Sequence, residues 1–263
     1  MRSDEIPSVT VAQMREIDRL MVDELGITLK QMMENAGRAL AELARRALRD
    51  LPGRRITVLA GPGGNGGGAL VAARRLAIWG AEVSVALASP AARMHPVPAH
   101  QLQIVRAMGI AVVEPEAPLP EIARSALVLD GVFGYSLTTA PHGRGAELIR
   151  AANESHVAIL ALDVPSGLSA DTGEAFAPTI RAHQTLTLAL PKIGLLAPRA
   201  ELYVGELFVA DISVPAQLYR RLGLAVGPLF AASDIVPFVS SSVVAPGRDY
   251  RQREPGRRPD VTP

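Results

Sequence analysis

The sequence contains no cysteine, and this absence excludes disulfides, thiolate metal sites and cysteine nucleophiles. It has no run of about 18 apolar residues, the length that a membrane-spanning helix needs. Its first ten residues lack the apolar core of a secretory signal. The 27 basic and 26 acidic residues leave a net charge of +1, which argues against nucleic acid or an anionic membrane as a partner. These absences predict a cytoplasmic protein.

Lysine is scarce, because only Lys30 and Lys192 occur among the basic residues. Lysine can lose its proton near neutral pH whereas arginine cannot, so Lys192, near the end of a predicted strand, is a candidate for chemistry. Chance in an arginine-rich chain is the alternative. The five histidines show no metal-ligand spacing, and Ser166 stands outside a Gly-x-Ser-x-Gly motif. Zinc and serine-hydrolase functions are therefore disfavoured.

Hydrophobic residues make up 48% and charged residues 20% of the chain, as in ordinary globular proteins. Capping-box spacing at Thr10 and Thr28 predicts two helices within residues 10–48. Short apolar strands then alternate with helices, which predicts an α/β fold with a mostly parallel sheet covered on both faces. The predicted strands are 56–60, 83–87, 111–113, 127–130, 157–164, 185–190 and 207–212, and the predicted helices between them are 69–78, 100–108 and 146–152. Residues 1–243 are expected to form one domain and 244–263 a disordered tail.

A glycine-rich segment, Gly61–Gly68, follows the first predicted strand. Glycines allow a ligand to approach the backbone closely, and the helix that follows offers N–H donors to an anion; a tight turn is the alternative. No Gly-Lys-Ser/Thr follows, which excludes a P-loop. Gly61, Gly63 and Gly66 fit dinucleotide-binding spacing. However, no acid ends the second strand, so an NAD-dependent dehydrogenase is disfavoured.

Two aspartates stand at the ends of predicted apolar strands. Asp130 follows Leu127–Leu129, and Asp163 follows a near-continuous apolar run and precedes Ser166 by three residues. Burying a carboxylate costs free energy unless it meets a cation, a cluster of donors or a ligand. Capping of the following turn is the alternative for each. In parallel sheets ligands bind beyond the carboxyl ends of the strands, so both aspartates are candidate site residues.

These residues together resemble the NAD(P)H-hydrate epimerase family, also called the YjeF N-terminal domain, from about Thr10 to Leu222. The stretches that carry the resemblance occur in the family's order: Met33–Gly37, Gly61–Gly67, Asp130 with Phe133-Gly134, Asp163–Gly167, Pro191-Lys192, and Gly205-Glu206 with Ala210–Ile212. The resemblance implies a Rossmann-like three-layer α/β/α sandwich and a homodimer.

The family's activity is the epimerisation of hydrated NADH and NADPH (NADHX and NADPHX) at C6 of the nicotinamide ring, a repair reaction. By position, Asn65, Asp130 and Ser166 would bind a potassium ion. The implied substrate-binding residues are Gly64, Asn65, Gly66, Gly67, Gly68, Gly134, Tyr135, Ser136, Leu137, Thr138, Thr139, Ala140 and Asp163. A separate ADP- or ATP-dependent dehydratase would act on the product, since too few residues follow Leu222 to form that domain.

Inversion at C6 requires a proton donor and acceptor near that carbon, and we assign Asp163 as the acid/base group and Lys192 as its polarising partner. The glycine-rich segment departs from the family pattern, because Gly64 and Gly68 stand where the family commonly has asparagine and aspartate. This departure motivates an alternative function, a non-catalytic nucleotide-binding or scaffold protein on the same fold. The retained Asp130, Asp163, Ser166 and Lys192 favour the enzyme.

Overall fold

The fold is described from a computed structural model over residues 6–239. The predicted tail, 244–263, lies outside these residues. The helices are α1 (Val11–Asp23), α2 (Leu29–Leu48), α3 (Gly64–Ile78), α4 (Pro96–Ala107), α5 (Gly143–Glu154), α6 (Glu201–Val204) and α7 (Ala216–Arg221). The strands are β1 (Arg55–Ala60), β2 (Glu82–Leu87), β3 (Ala111–Val113), β4 (Leu127–Gly131), β5 (Ile159–Leu162), β6 (Gln184–Leu188), β7 (Glu206–Ala210) and β8 (Ile235–Pro237).

The strands form one sheet in the order β3-β2-β1-β4-β5-β6-β7-β8. Every neighbouring pair is parallel except β7 and β8, which are antiparallel. Helices α2, α3 and α4 pack on one face, and α5 packs on the other. The chain order reverses direction between β1 and β4, so the crevice beyond their carboxyl ends is the expected ligand site. The predicted three-layer, Rossmann-like fold is confirmed.

Both predicted capping boxes are present at the starts of α1 and α2. The hydroxyls of Thr10 and Thr28 accept from the backbone three residues on, and Gln13 and Gln31 accept from the capping residues' own N–H groups. These reciprocal bonds satisfy N–H groups that a helix leaves unpaired at its start. The sequence therefore locates both helix starts correctly.

The structure corrects the predicted start of α3. The predicted glycine loop extends to Gly68, but the helix begins at Gly64. Glycine disfavours helix by about 1 kcal/mol per residue relative to alanine, and tertiary packing overrides that preference here. A Cβ on Gly66 would lie 1.9 Å from the Gly61 carbonyl oxygen, and one on Gly67 would lie 2.6 Å from Met33 Sδ. The glycines therefore permit close packing within a helix.

Three predicted strands end earlier than expected; the one predicted as 207–212 ends at Ala210, and the other two share a backbone cause. The run predicted as 157–164 is a strand only over Ile159–Leu162, and the one predicted as 185–190 ends at Leu188. The next residues, Asp163 and Ala189, have φ of 65° and 64°, which takes the chain out of the extended conformation. Lys192 therefore lies on the turn after β6 and not at the strand's last residue.

Candidate active site

The ends of β1, β4 and β5 bring three predicted site segments into contact. Gly61 follows β1 and donates its N–H to the Gly131 carbonyl of β4 at 3.0 Å. Its Cβ, if present, would lie 1.9 Å from the Val132 carbonyl oxygen. Only glycine fits at this crossing. The close approach places the start of α3 beside the segment that follows β4.

Asp130 and Ser166 form one buried hydrogen-bonded unit. The Ser166 N–H donates to Asp130 Oδ2 at 2.8 Å, and the Ser166 hydroxyl donates to Oδ1 at 2.6 Å. The Val132 N–H adds a weaker bond at 3.2 Å. Burial raises the pKa of Asp130 to about 6, while these hydrogen bonds act in the opposite direction. No salt bridge reaches Asp130 within residues 6–239, so the carboxylate lacks a countercharge from the described side chains.

Asn65 joins this unit through the backbone of Phe133. Its Nδ2 donates to the Phe133 carbonyl at 2.9 Å, and the N–H of the same residue donates to Ser166 Oγ at 2.8 Å. The amide orientation leaves the Asn65 side-chain oxygen as the atom able to bind a cation. The structure thus brings the three predicted potassium ligands together: Asn65 and Ser166 bond to the backbone of Phe133, and Ser166 bonds to Asp130. Their role as ligands stays a prediction.

Asp163 and Lys192 form a buried ion pair. Lys192 Nζ donates to Asp163 Oδ1, to the Leu188 carbonyl at 2.9 Å and to Thr187 Oγ1 at 3.3 Å. An ammonium has three N–H donors, so these acceptors match a charged lysine. Lys192 is only 1% exposed and Asp163 is 3% exposed. The two residues assigned to catalysis are therefore in direct contact.

The Asp163 carboxylate also contacts the segment that follows β4. The second oxygen, Oδ2, accepts from the Tyr135 N–H at 3.2 Å. Gly134 lies directly over this oxygen, because a Cβ there would be 3.4 Å from Oδ2 and 3.3 Å from the Asn65 side chain. A side chain at Gly134 would therefore crowd both Oδ2 and Asn65. Gly134 thus separates the Asp163–Lys192 pair from the Asn65–Asp130–Ser166 group.

The remaining predicted substrate residues divide into two segments. In α3, Gly64, Asn65 and Gly66 occupy the first turn, whose N–H groups have no partner within the helix, whereas the N–H groups of Gly67 and Gly68 continue the helical pattern. A Cβ on Gly68 would lie 2.8 Å from Leu162 Cδ2, so this residue faces the core. The other segment follows β4, and its members Ser136, Leu137, Thr138, Thr139 and Ala140 extend from Tyr135 toward solvent.

Asp18 contacts the candidate site, and sequence reasoning missed this contact. It lies on α1, and its Oδ2 accepts the Tyr135 hydroxyl at 2.6 Å. Burial raises the pKa of the Asp18 carboxyl, against the hydrogen bond from Tyr135 and the positive charge of Lys192. The spacing of Met14, Ile17 and Leu20 identifies the buried face of α1, but no sequence signal relates Asp18 to a residue 117 positions away.

The family model described as YjeF-related protein N-terminus matches residues 29–194, well over half of the chain. This chain belongs to that family. All of the predicted site residues fall inside the matched segment, whereas α1 with Asp18 precedes it. Within residues 6–239 no helix is long and apolar enough to cross a membrane.

Curated relatives of this chain match most of its sequence. A Dehalogenimonas lykanthroporepellens protein named NAD(P)H-hydrate epimerase is 47% identical over 83% of this chain and 87% of the relative. A Rhodopirellula baltica protein of the same name is 35% identical over 84% and 90%. A Moorella thermoacetica protein named bifunctional NAD(P)H-hydrate repair enzyme Nnr is 38% identical over 80% of this chain but only 41% of its own length.

One solved structure supports the fold of this family member independently. The crystal structure of yeast ynu0, YNL200c, superposes with a TM-score of 0.73 over 89% of this chain and 100% of the yeast chain. The sequence identity is 22%, so the likeness concerns the fold alone. It agrees with the three-layer architecture described above.

Proposed function

We propose that this protein is an NAD(P)H-hydrate epimerase, an isomerase that interconverts the R and S forms of NADHX and NADPHX at C6 of the nicotinamide ring. The observation that carries the proposal is the buried Asp163–Lys192 pair, which follows β5 and β6 beside the crevice beyond β1 and β4, in a chain 47% identical to a relative of that name. A nucleotide repair function accounts for a carboxylate and an ammonium held together where a Rossmann-like fold binds its ligand.

The hydrated ring carries a hydroxyl on the carbon next to nitrogen. Inversion by one route breaks the C6–O bond, with the nitrogen lone pair forming a C=N bond and a proton joining the departing hydroxyl as water. Water then adds to the other face and returns a proton. We assign that proton exchange to Asp163 Oδ2, and its proximity to Gly134, at 3.4 Å from the position of a Cβ there, supports the assignment. Because the resting pair holds Asp163 as a carboxylate, Asp163 takes up one proton from solvent before the first step, and Lys192, on Oδ1, stabilises the carboxylate form that exists between the two steps.

The nucleotide portion of the substrate is assigned to the start of α3 and the segment after β4. The unpaired N–H groups of Gly64, Asn65 and Gly66 and the helix dipole favour a pyrophosphate. Residues 134–140 supply backbone and hydroxyl groups beside it. Gly67 and Gly68 contribute packing, because both are buried against side chains of the core.

Potassium is the cation that we assign to Asn65, Asp130 and Ser166. Carboxylate, amide and hydroxyl oxygens are hard donors that suit an alkali cation. Asp130 is fully buried and has no salt bridge within the described residues, so a bound cation would supply its missing countercharge. Such an ion would fix the Phe133 backbone and thereby the position of Gly134 above Asp163.

We further propose a cytoplasmic homodimer that works with a separate ADP- or ATP-dependent NAD(P)H-hydrate dehydratase. The bifunctional name of the Moorella relative, which this chain matches over 41% of its length, supports a functional link to a second repair activity. Light scattering of the purified protein tests the dimer. Thermal unfolding in potassium against a bulky organic cation at equal ionic strength tests the ion.

A coupled assay tests the activity. NADPHX equilibrated between both forms is given to an S-specific dehydratase, which leaves the R form until epimerase is added. The protein should restore complete consumption, and Asp163→Asn should abolish this while nucleotide affinity stays within about tenfold, roughly 1.4 kcal/mol. Asp50→Asn, an exposed aspartate after α2, is the matched control.

Two outcomes of this assay separate the candidate functions. Wild-type turnover by Asp163→Asn would remove Asp163 from the chemistry. Nucleotide binding without any turnover by the wild type would favour the scaffold function suggested by Gly64 and Gly68.

A further inference from the structure

The segment before α2 contacts the active site at two points, although it precedes the residues matched by the family model. Val9 lies alongside Lys192: its N–H donates to the Pro191 carbonyl at 2.8 Å, and its carbonyl accepts from the Ile193 N–H at 3.0 Å. The backbone on both sides of Lys192 is therefore held by the chain just before α1. The second point of contact is Asp18.

Asp18 binds Tyr135 from the opposite side to Asp163. The Tyr135 hydroxyl donates to Asp18, and the Tyr135 N–H donates to Asp163 Oδ2. Its ring lies 5.8 Å from Lys192 Nζ, within cation–π range. One residue thus links α1 to both members of the ion pair.

We propose that Asp18 is a positioning residue for the reaction, which holds Tyr135 so that the Tyr135 N–H orients the Asp163 carboxylate. The expected effect on kinetics rests on the proposed epimerase function, whereas the contact between Asp18 and Tyr135 does not depend on it. The ring packs between α1 and the loop after Asp163, in contact with two apolar clusters, so its hydroxyl is directed to one place. Burial, and to a smaller extent the charge of Asp18, raises the pKa of the Tyr135 phenol. The hydroxyl therefore stays protonated and acts as the hydrogen-bond donor to Asp18.

Release of the Tyr135 ring would free the backbone that follows Gly134. That segment leaves the sheet, and Ser136 and residues 138–140 are exposed, so the partly buried Tyr135 ring is its anchor. Loss of the anchor loosens the N–H to Asp163 without removing any group that touches the reacting carbon. Small displacements of an acid/base group lower the rate by large factors. Replacing Asp18 should therefore lower the rate only because it releases Tyr135.

A double-mutant cycle measures that dependence. Asp18→Ala should lower kcat/KM about tenfold, whereas Asp18→Asn, whose amide oxygen still accepts the phenol proton, should stay within about threefold. In a Tyr135→Phe background, Asp18→Ala should cost less than about twofold. Asp23→Ala, at an exposed aspartate of the same helix, should be silent. Additive losses, or equal losses for the alanine and asparagine variants, would overturn the proposal.

Amide hydrogen exchange tests the contact without any activity. The amide of residue 135 should exchange at least about tenfold faster in Asp18→Ala, with α1 amides unchanged in Asp23→Ala. Tyr135→Phe removes the same hydrogen bond from the other side, so it must give the same acceleration even if Asp18→Ala does not fold. Unchanged exchange would refute the positioning role. A wild type with no epimerase activity would refute the proposed function while leaving this result interpretable.

Discussion

The buried Asp163–Lys192 pair predicts a large and strongly coupled loss of stability when either member is replaced alone. Lys192→Met keeps the length of the side chain but leaves an uncompensated carboxylate in a site that is almost fully buried. Asp163→Asn leaves an uncompensated ammonium. Breaking a buried pair in this way costs about 3–5 kcal/mol. Asparagine is the suitable replacement because Asp163 has φ 65°, and asparagine tolerates that conformation better than most residues.

The double variant, Lys192→Met with Asp163→Asn, removes both charges and should recover most of that loss. We expect the free energy of unfolding of the double variant to lie within about 2 kcal/mol of the wild type, since paired charges can be replaced by neutral groups at small cost. For a chain of this size, about 3–5 kcal/mol corresponds to roughly 6–20 °C in Tm for each single variant. Urea unfolding of all four proteins measures the coupling.

Additive single losses in that cycle would refute the reasoning. They would mean that the two side chains act through separate neighbours, such as Tyr135 for the carboxylate and the Leu188 carbonyl for the ammonium. Activity would be lost in all three variants and so does not distinguish the cases. The stability cycle does.

Three further predictions concern the cation group and the glycines. Asp130, whose pKa rises to about 6 in the fold, should stabilise the cation-free protein below about pH 4 by on the order of 3 kcal/mol, and this stability should be lost as the pH rises through 6. Potassium should reduce the loss. Urea unfolding at a series of pH values measures both effects. Gly66→Ala should cost at least about 3 kcal/mol, because its Cβ would meet backbone at 1.9 Å, whereas Gly63→Ala, which opens into free space, should cost about 1 kcal/mol or less in the same unfolding assay. Gly64→Asn should leave Tm nearly unchanged, since its Cβ meets only Met33 Cε at 3.8 Å, and should lower KM in the coupled assay with little effect on kcat; a raised kcat at constant KM would place this residue in the chemical step.

Local signals in the sequence were sufficient for most of the fold. The capping boxes at Thr10 and Thr28 and the apolar runs of β1 to β7 identify elements whose stabilising contacts are periodic. The exceptions are short or depend on distant partners. β8 has three residues, pairs antiparallel with β7 and ends in proline, so neither its length nor its composition predicts a strand.

The start of α3 could not be predicted from sequence because the decisive contacts are tertiary. Four of its first five residues are glycine, a composition typical of loops. The helix forms because Gly37 of α2 allows α3 to approach closely, with Val71 and the Gly68 carbonyl occupying the space of its missing side chain. A glycine-rich run can therefore serve two purposes that a single sequence does not distinguish. It can let a ligand approach the backbone, or it can make room for a neighbouring helix.

For the candidate site, too, the sequence identifies the residues but not the partners that they contact. Asp130, Asp163 and Lys192 could be predicted because strand ends in a parallel sheet meet at one edge. Which aspartate pairs with the lysine depends on the turn after β6, where Ala189 has positive φ and Lys192 Nζ reaches Asp163 Oδ1 three residues later. Asp163 therefore receives the ammonium, and Asp130, one strand further, has no salt bridge within residues 6–239. The two carboxylates thereby acquire different electrostatic environments: this chain's own lysine neutralises Asp163, whereas Asp130 has no countercharge among the described side chains, as the proposed cation site requires.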